Sequence, residues 1–512
     1  MRTALLLAAL CTAAGAQTYR IAGVLVDGQT GKPILRGHIT LTGGRESMAV
    51  TTEADGALFF DVPLGKYSLT TEVHNWHQVF GMTGPSLGFG SAIITGPDQD
   101  TAHLVYRFFR PGSIYGRVTD DHGEGIENAT VVAIREWVSG GRKVTGVALT
   151  AHTDDLGNYR IGPVAGGTYY VVATAVPWYV QQQRGLRHDS DDDSTLNMAY
   201  PATYYGGSTD PRQAGRLTVE SGGETQANLV LQAVLAVRVH PACAAENCSG
   251  SLSFYSVGVG GQEALVSTTY FMGDQAIYGI APGHYLVRAT GPGGSMRKAV
   301  DLAGGDATLD LSFQPPPKIT GVVTYKNGAR PRGTPFLSMV NEDANTAVGI
   351  TIAADGSFVY ANPPMAKFRA AIGGAVGYFI SQMTASGAQI IDGGFEVTEG
   401  SQVQLNIEAS DESGRVKGLV MNGDTTVPGV MVVLAPRDRL TAAIPPRGYQ
   451  TESDGSYDFT NVPAGEYLLF TTDRMDLEYV RPEAIQPYLA AATAVRVESH
   501  KVHAENLRVP GK

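Results

Sequence analysis

The sequence predicts an all-β protein, a leader peptide followed by a tandem array of about five β-sandwich domains. Three observations carry this expectation. A unit of strand, tight turn and strand recurs along the chain at domain-sized intervals. Short runs rich in Val, Thr, Tyr and Phe are bounded by Gly, Asp and Pro, and no long stretch sustains the apolar period of a helix.

The cleanest copy of the unit runs from Thr451 to Phe470, TESDGSYDFTNVPAGEYLLF. Asp454 and Gly455 make the turn, because Gly455 supplies a positive φ and Asp454 can accept neighbouring backbone N–H groups. Tyr457 and Phe459 alternate with Asp458 and Thr460, which places both aromatics on one buried face. Pro463 has no N–H to continue a ladder, and a second apolar run opens at Tyr467. The spacing from turn glycine to opening aromatic is 12 residues for Gly455 to Tyr467, Gly356 to Phe368, Gly157 to Tyr169 and Gly273 to Tyr285, and 11 for Gly56 to Tyr67. The opening aromatics lie 102, 116, 83 and 99 residues apart, which is the size of a domain and not of a solenoid turn.

At the start of the chain, residues 1–16 carry one basic residue, Arg2, an apolar run from Ala4 to Leu10, and Ala14-Gly15-Ala16 before Gln17. This is the pattern of a secretory signal cleaved between Ala16 and Gln17, too short to span a bilayer. Cys11 follows Leu10, where a lipid-anchor signal would carry a small residue, so cleavage after Ala16 is the better reading. An exported protein, periplasmic, cell-surface or secreted, is expected, with no transmembrane segment in the mature chain. Loss of Arg2 takes the formal charge from −11 to −12, which argues against nucleic acid as a partner. Cys243 and Cys248, the two cysteines left, are expected to close a small disulfide loop in an oxidising compartment.

The remaining strands follow in a constant order. Opening strands carry a central glycine in Ile21-Ala22-Gly23-Val24, Ile114-Tyr115-Gly116-Arg117-Val118, Ile319-Thr320-Gly321-Val322-Val323 and Val416-Lys417-Gly418-Leu419-Val420. A second strand follows a Pro- or Gly-marked turn, as in Gly125 to Ile134 or Pro428 to Leu434. Closing strands alternate, as in Glu224 to Leu231 and Gln402 to Ile407.

The series IxGxV, then GxPxxxAxVxL, then TDxDGxYxFxxVPxGxYxL, resembles the carboxypeptidase regulatory-like domain. That resemblance implies transthyretin-like (prealbumin-like) sandwiches of about seven strands, placed among carbohydrate-binding-like folds. It divides the chain into residues 17–110, 111–234, 235–314, 315–410 and 411–512. The first, second and fifth are carboxypeptidase regulatory-like by motif; the third is degenerate, and the fourth departs from the pattern at Pro364-Met365-Ala366-Lys367-Phe368. The family's name comes from a module attached to metallocarboxypeptidases, and the activity does not travel with it. The aromatics of the repeat are read as core. Tyr67, Tyr169, Tyr285 and Tyr467 are each expected to bond a phenol hydroxyl to nearby backbone at a sheet corner.

No catalytic constellation is found. None of the eleven histidines has Glu three positions on, and the pairs His74/His77 and His500/His503 lack the third and fourth ligands that zinc requires. Gly84-Pro85-Ser86-Leu87-Gly88 matches a nucleophile-elbow pattern but sits in a glycine-rich loop without the strand and helix that motif needs. No cofactor is expected beyond calcium at Asp189, Asp191 and Asp193, an irregular acidic loop that lacks the glycine and glutamate of an EF-hand.

The insertion at 177–217, in the second domain, is the candidate ligand site. Trp178, Tyr179, Tyr200, Tyr204 and Tyr205 stand there among Asp and Gly residues. Exposed aromatics beside carboxylates suit a sugar, whose pyranose face needs an apolar platform and whose hydroxyls need acceptors. The competing reading is that the loop folds back and its aromatics cover one end of the sandwich or its junction with the third domain. The functional expectation is therefore an exported non-enzymatic protein that binds carbohydrate or another cell-surface polymer. A structural or adhesive spacer, engaging a protein partner by strand addition, and an accessory subunit of a secreted hydrolase or peptidase are the alternatives.

Overall fold

The structure is a computed structural model, and it describes residues 17–43, 46–72, 92–183, 197–243, 248–291, 294–328, 330–343, 346–375, 377–391, 393–437 and 445–509. Strands dominate it, and their sheets pair off in chain order into sandwiches. In the first, the opening strand Thr18–Asp27 lies between Ala57–Pro63, antiparallel, and Leu104–Phe108, parallel. The facing sheet runs Glu46–Thr51, His38–Gly43, Gly65–Glu72, Ile93–Thr95. Strict alternation drives the packing: Leu58, Phe60 and Val62 are buried along Ala57–Pro63 while the residues between them are exposed.

The same pairing of an opening strand with a parallel closing strand recurs. Gly112–Asp120 takes Glu224–Gln226 and Leu229–Leu231, Lys318–Tyr325 takes Gln402–Ser410, and Ser413–Asn422 takes Val502–Ala504 and Leu507–Arg508. The third sandwich, whose opening strand the sequence does not mark with glycine, is built alike: Val237–Ala242 pairs in parallel with Asp306–Asp310 and antiparallel with Ile277–Ile280. Alternation alone defines that strand, with Val237, Val239 and Pro241 turned inward.

The central glycine of the opening strand has a steric cause. The closing strand presses so close that a Cβ at Gly116 would collide with the Ala227 carbonyl, and one at Gly418 with the Glu505 carbonyl. Those carbonyls also accept from the repeat's first aromatic, since Tyr159 donates its hydroxyl to Ala227 O and Tyr457 to Glu505 O, both at 2.5 Å. At the turn, Gly455 has φ of 77° and Asp454 Oδ1 accepts from Ser456 N at 2.9 Å.

The expected sheet-corner bonds are present. The hydroxyls of Tyr67, Tyr169, Tyr285 and Tyr467 donate to the carbonyl four residues back, Pro63, Ala165, Ala281 and Pro463, at 3.0, 2.6, 2.8 and 2.9 Å. In the fourth sandwich the position is Phe368, which gives up the bond and instead stacks on Phe395 in the core, centroids 6.1 Å apart. A second repeated tie uses the threonine that opens the motif. Buried Thr52, Thr153 and Thr451 donate to the carbonyls of Ile34, Ile126 and Val427 at 3.0, 2.6 and 2.9 Å. Each also accepts a backbone N–H, from Gly37, Ala129 and Val430. The hydroxyl thereby satisfies two buried backbone groups where the chain enters its second strand.

Candidate functional site

The insertion leaves the second sandwich after Gly167–Thr174, makes a short helix at Trp178–Gln183, and returns through Thr203–Tyr204 and Arg216–Val219. Both returning segments pair with Gly167–Thr174, so the inserted chain extends the sheet it came from. It also ties forward, since Met198–Ala199 pairs with Val234–Leu235 ahead of the third sandwich.

Its aromatics divide into two groups. Tyr200 is 7% exposed and lies in the core of the second sandwich, with half-buried Tyr205 packed against the same cluster. Tyr204 is 3% exposed, packs with Ile134, Tyr170 and Val172, and touches Val259 of the third sandwich, whose backbone N–H reaches its phenol oxygen. These side chains cover the sandwich end and its junction, and Tyr200 and Tyr204 present no ring face to solvent. Trp178 is 66% exposed and meets half-buried Tyr179 edge to face, centroids 5.7 Å apart.

Beside Tyr179 stands a turn the sequence reading did not single out, Asp120-Asp121-His122. Asp120 Oδ1 accepts from the backbone N–H groups of His122 and Glu124 at 3.0 and 2.8 Å, and His122 Nδ1 lies 3.1 Å from Asp121 Oδ1. The two carboxylates and the ring nitrogen lie within 4.8 Å of one another. Burial pushes the Tyr200 phenol up to about 12, with Tyr179 and the carboxylates of Asp120 and Asp121 adding to it; burial and the same two carboxylates raise Tyr179. Chemically the patch is an indole and a phenol beside two acceptors, suited to hydroxyl-bearing ligands.

Asp189, Asp191 and Asp193 lie outside the described residues, as do His74, His77 and the 84–88 motif. His503 Nε2 accepts from Glu498 N at 2.9 Å, a backbone bond that occupies one of its two ring nitrogens. Cys243 and Cys248 form the expected disulfide, S–S 2.03 Å, linking the strand Val237–Ala242 to Ser249–Val257. Among the described residues no helix is long and apolar enough to cross a membrane.

A further set of contacts joins sandwiches that are distant in sequence. Lys66 Nζ lies 2.6 Å from Glu452 Oε1, which also accepts from the Tyr449 hydroxyl. Around them Ile94 N donates to Ser453 Oγ at 2.9 Å and Ser453 N to Ala92 O at 3.0 Å. The first and fifth sandwiches are clasped together by these bonds. Neighbours in sequence are tied as well: Gln29 Nε2 donates to Ser221 O, Gln262 Nε2 to Thr145 O and Arg297 N to Glu399 Oε1.

Residues 113–201 match the family model of the carboxypeptidase regulatory-like domain, the family whose motif the repeat resembles. The match runs from the opening strand of the second sandwich into the insertion. No curated protein sequence matches the chain. Among solved structures the chain is similar to the Bacillus anthracis TIE protein at 11% identity, covering 77% of this chain and 75% of that one, TM-score 0.18. It is similar to a streptococcal ancillary pilin at 10% identity, covering 54% and 99%, TM-score 0.19. For the shaft pilin SpaA of Lactobacillus rhamnosus GG the figures are 11% identity, 43% and 98%, and a TM-score of 0.20.

Proposed function

We propose that the protein is an exported, non-enzymatic structural or adhesive scaffold, a series of sandwiches held as one body to present its surface to a partner. The observation that carries this reading is the clasp between Lys66 and Glu452, which joins the first and fifth sandwiches by an ion pair and two backbone-mediated bonds. The domain-two insertion supports it, because Tyr200 and Tyr204 belong to the core and the junction. Pulling the two chain ends apart in a single-molecule force experiment tests it. The clasp should release as a first event before any sandwich opens, and Lys66→Met should lower the force at which it does so; a chain that extends without resistance would end the structural reading.

Carbohydrate binding is the second reading, and one observation favours it: exposed Trp178, with Tyr179, beside the carboxylates of Asp120 and Asp121. A panel of soluble and insoluble polysaccharides decides it. Binding lost in Trp178→Ala at an unchanged melting temperature would put the second reading first.

A further inference from the structure

The second, fourth and fifth sandwiches enclose a cleft of about 740 Å³, within the roughly 300–1,000 Å³ of small-ligand sites, which favour domain junctions. Its charge is set by one triad. Glu342 accepts from Arg142 of the second sandwich at 3.0 Å and from Arg369 of its own at 2.9 Å, and its side chain is 17% exposed. Two guanidinium groups therefore share one carboxylate. Lys367, exposed at the same cleft, enters no ion pair among the described residues, and Glu396 is the other acidic group there. Three cations against two carboxylates leave one positive charge in excess in a chain of formal charge −11; Glu396 stands opposite Lys367 in the neighbouring strand, and the excess favours an anionic ligand over a cationic one.

The walls are of another kind. Pro445, Pro446 and Pro482 line them over buried Pro436, and the three rings present flat C–H surfaces with no side-chain freedom to lose on binding. Gln389 and Glu396 line the same cleft as hydrogen-bonding groups.

We propose that this cleft binds an acidic oligosaccharide of the uronate class. The carboxylate of one sugar pairs with Lys367 at the positive end of the cleft, close to the Arg142 and Arg369 guanidinium groups. The pyranose faces lie against the proline wall, and ring hydroxyls donate to Glu396 and Gln389. An acidic peptide fits less well, because it brings few hydroxyls to donate to Glu396 and Gln389. The site is separate from the Trp178 patch and does not depend on the scaffold reading.

The test is calorimetric titration of the full mature chain, residues 17–512, with a galacturonate oligomer, the neutral galactose oligomer of equal length, and polyglutamate. Lys367→Gln is the informative variant, since Lys367 is exposed and the Glu342 triad stays intact without it. The galacturonate oligomer should bind and weaken with added salt, and Lys367→Gln should lower its affinity by about tenfold or more. Gln389→Ala should weaken it at an unchanged melting temperature. Absence of galacturonate binding, equal binding of the neutral oligomer, tighter binding of polyglutamate, or indifference to Lys367→Gln would each overturn the proposal.

Discussion

Lys66 and Glu452 form an asymmetric pair, with the ammonium side chain 57% exposed and the carboxylate 2% exposed. Removing each partner therefore has a different consequence. Lys66→Met leaves a buried carboxylate with less compensation and should cost about 1–2 kcal/mol, whereas Glu452→Gln removes the charge while keeping the shape and should cost less. Hydrogen exchange at the amides of Ile94 and Ser453, which bond across the same junction, should accelerate more in Lys66→Met. Equal and unchanged protection in both variants would mean that the clasp does not hold the junction.

Tyr467 donates to Pro463 O from a site where it is 4% exposed. Tyr467→Phe leaves that carbonyl unpaired in the core and should destabilise the fifth sandwich by about 1 kcal/mol. The fourth sandwich lives with Phe368 at this position, but its ring neighbours there are Phe395 and Tyr360. Calorimetric melting of wild type and variant checks the loss, and superimposable transitions would refute it.

Burial pushes both Tyr285 and Tyr467 up to about 12, against about 10 in an unfolded chain. Their neutral forms are favoured by the fold, so the stability they contribute is complete below pH ~10 and declines as pH rises toward 12. Melting temperature should fall across this window, together with the rise in tyrosinate absorbance. Full ionisation of the tyrosines near pH 10 with an intact fold would contradict the burial argument.

Gly418→Ala forces a methyl group against the Glu505 carbonyl and displaces the closing strand that also receives the Tyr457 hydroxyl. A loss of about 3 kcal/mol is expected. Denaturant titration followed at Trp residues would miss it, because Trp76 falls in residues 17–110 and Trp137 and Trp178 in the second sandwich, so calorimetry or hydrogen exchange at Val502–Ala504 is the measurement. A wild-type transition in the variant would show that the strands can part at no expense.

What the sequence revealed was local. The turn at Asp454-Gly455, the alternation of Tyr457 and Phe459 and the corner at Tyr467 lie within a few residues of each other, and their chemistry is readable from spacing. Thr451 was visible in the motif without a role, because its partners Val427 and Val430 lie more than twenty residues upstream. The insertion resisted for a different reason: strands of two residues, Met198–Ala199 and Thr203–Tyr204, are too short for alternation to say which ring faces inward. Trp178 and Tyr200 therefore read alike in sequence, although one is exposed and the other is core. Asp120 and Asp121 come next to Tyr179 only through folding, and the clasp spans 386 residues.

That span has a consequence for how the protein is made and kept. The face of the first sandwich at Lys66 and Ile94 is complete only when a segment near the far end of the chain has emerged and folded. A polypeptide truncated before Glu452, or nicked by a protease so that its fifth sandwich is lost, would uncover the Ile94 amide and the Ala92 carbonyl and leave the Lys66 ammonium unpaired. A chain without its fifth sandwich would thus differ from one that has it on the surface of a module that both share.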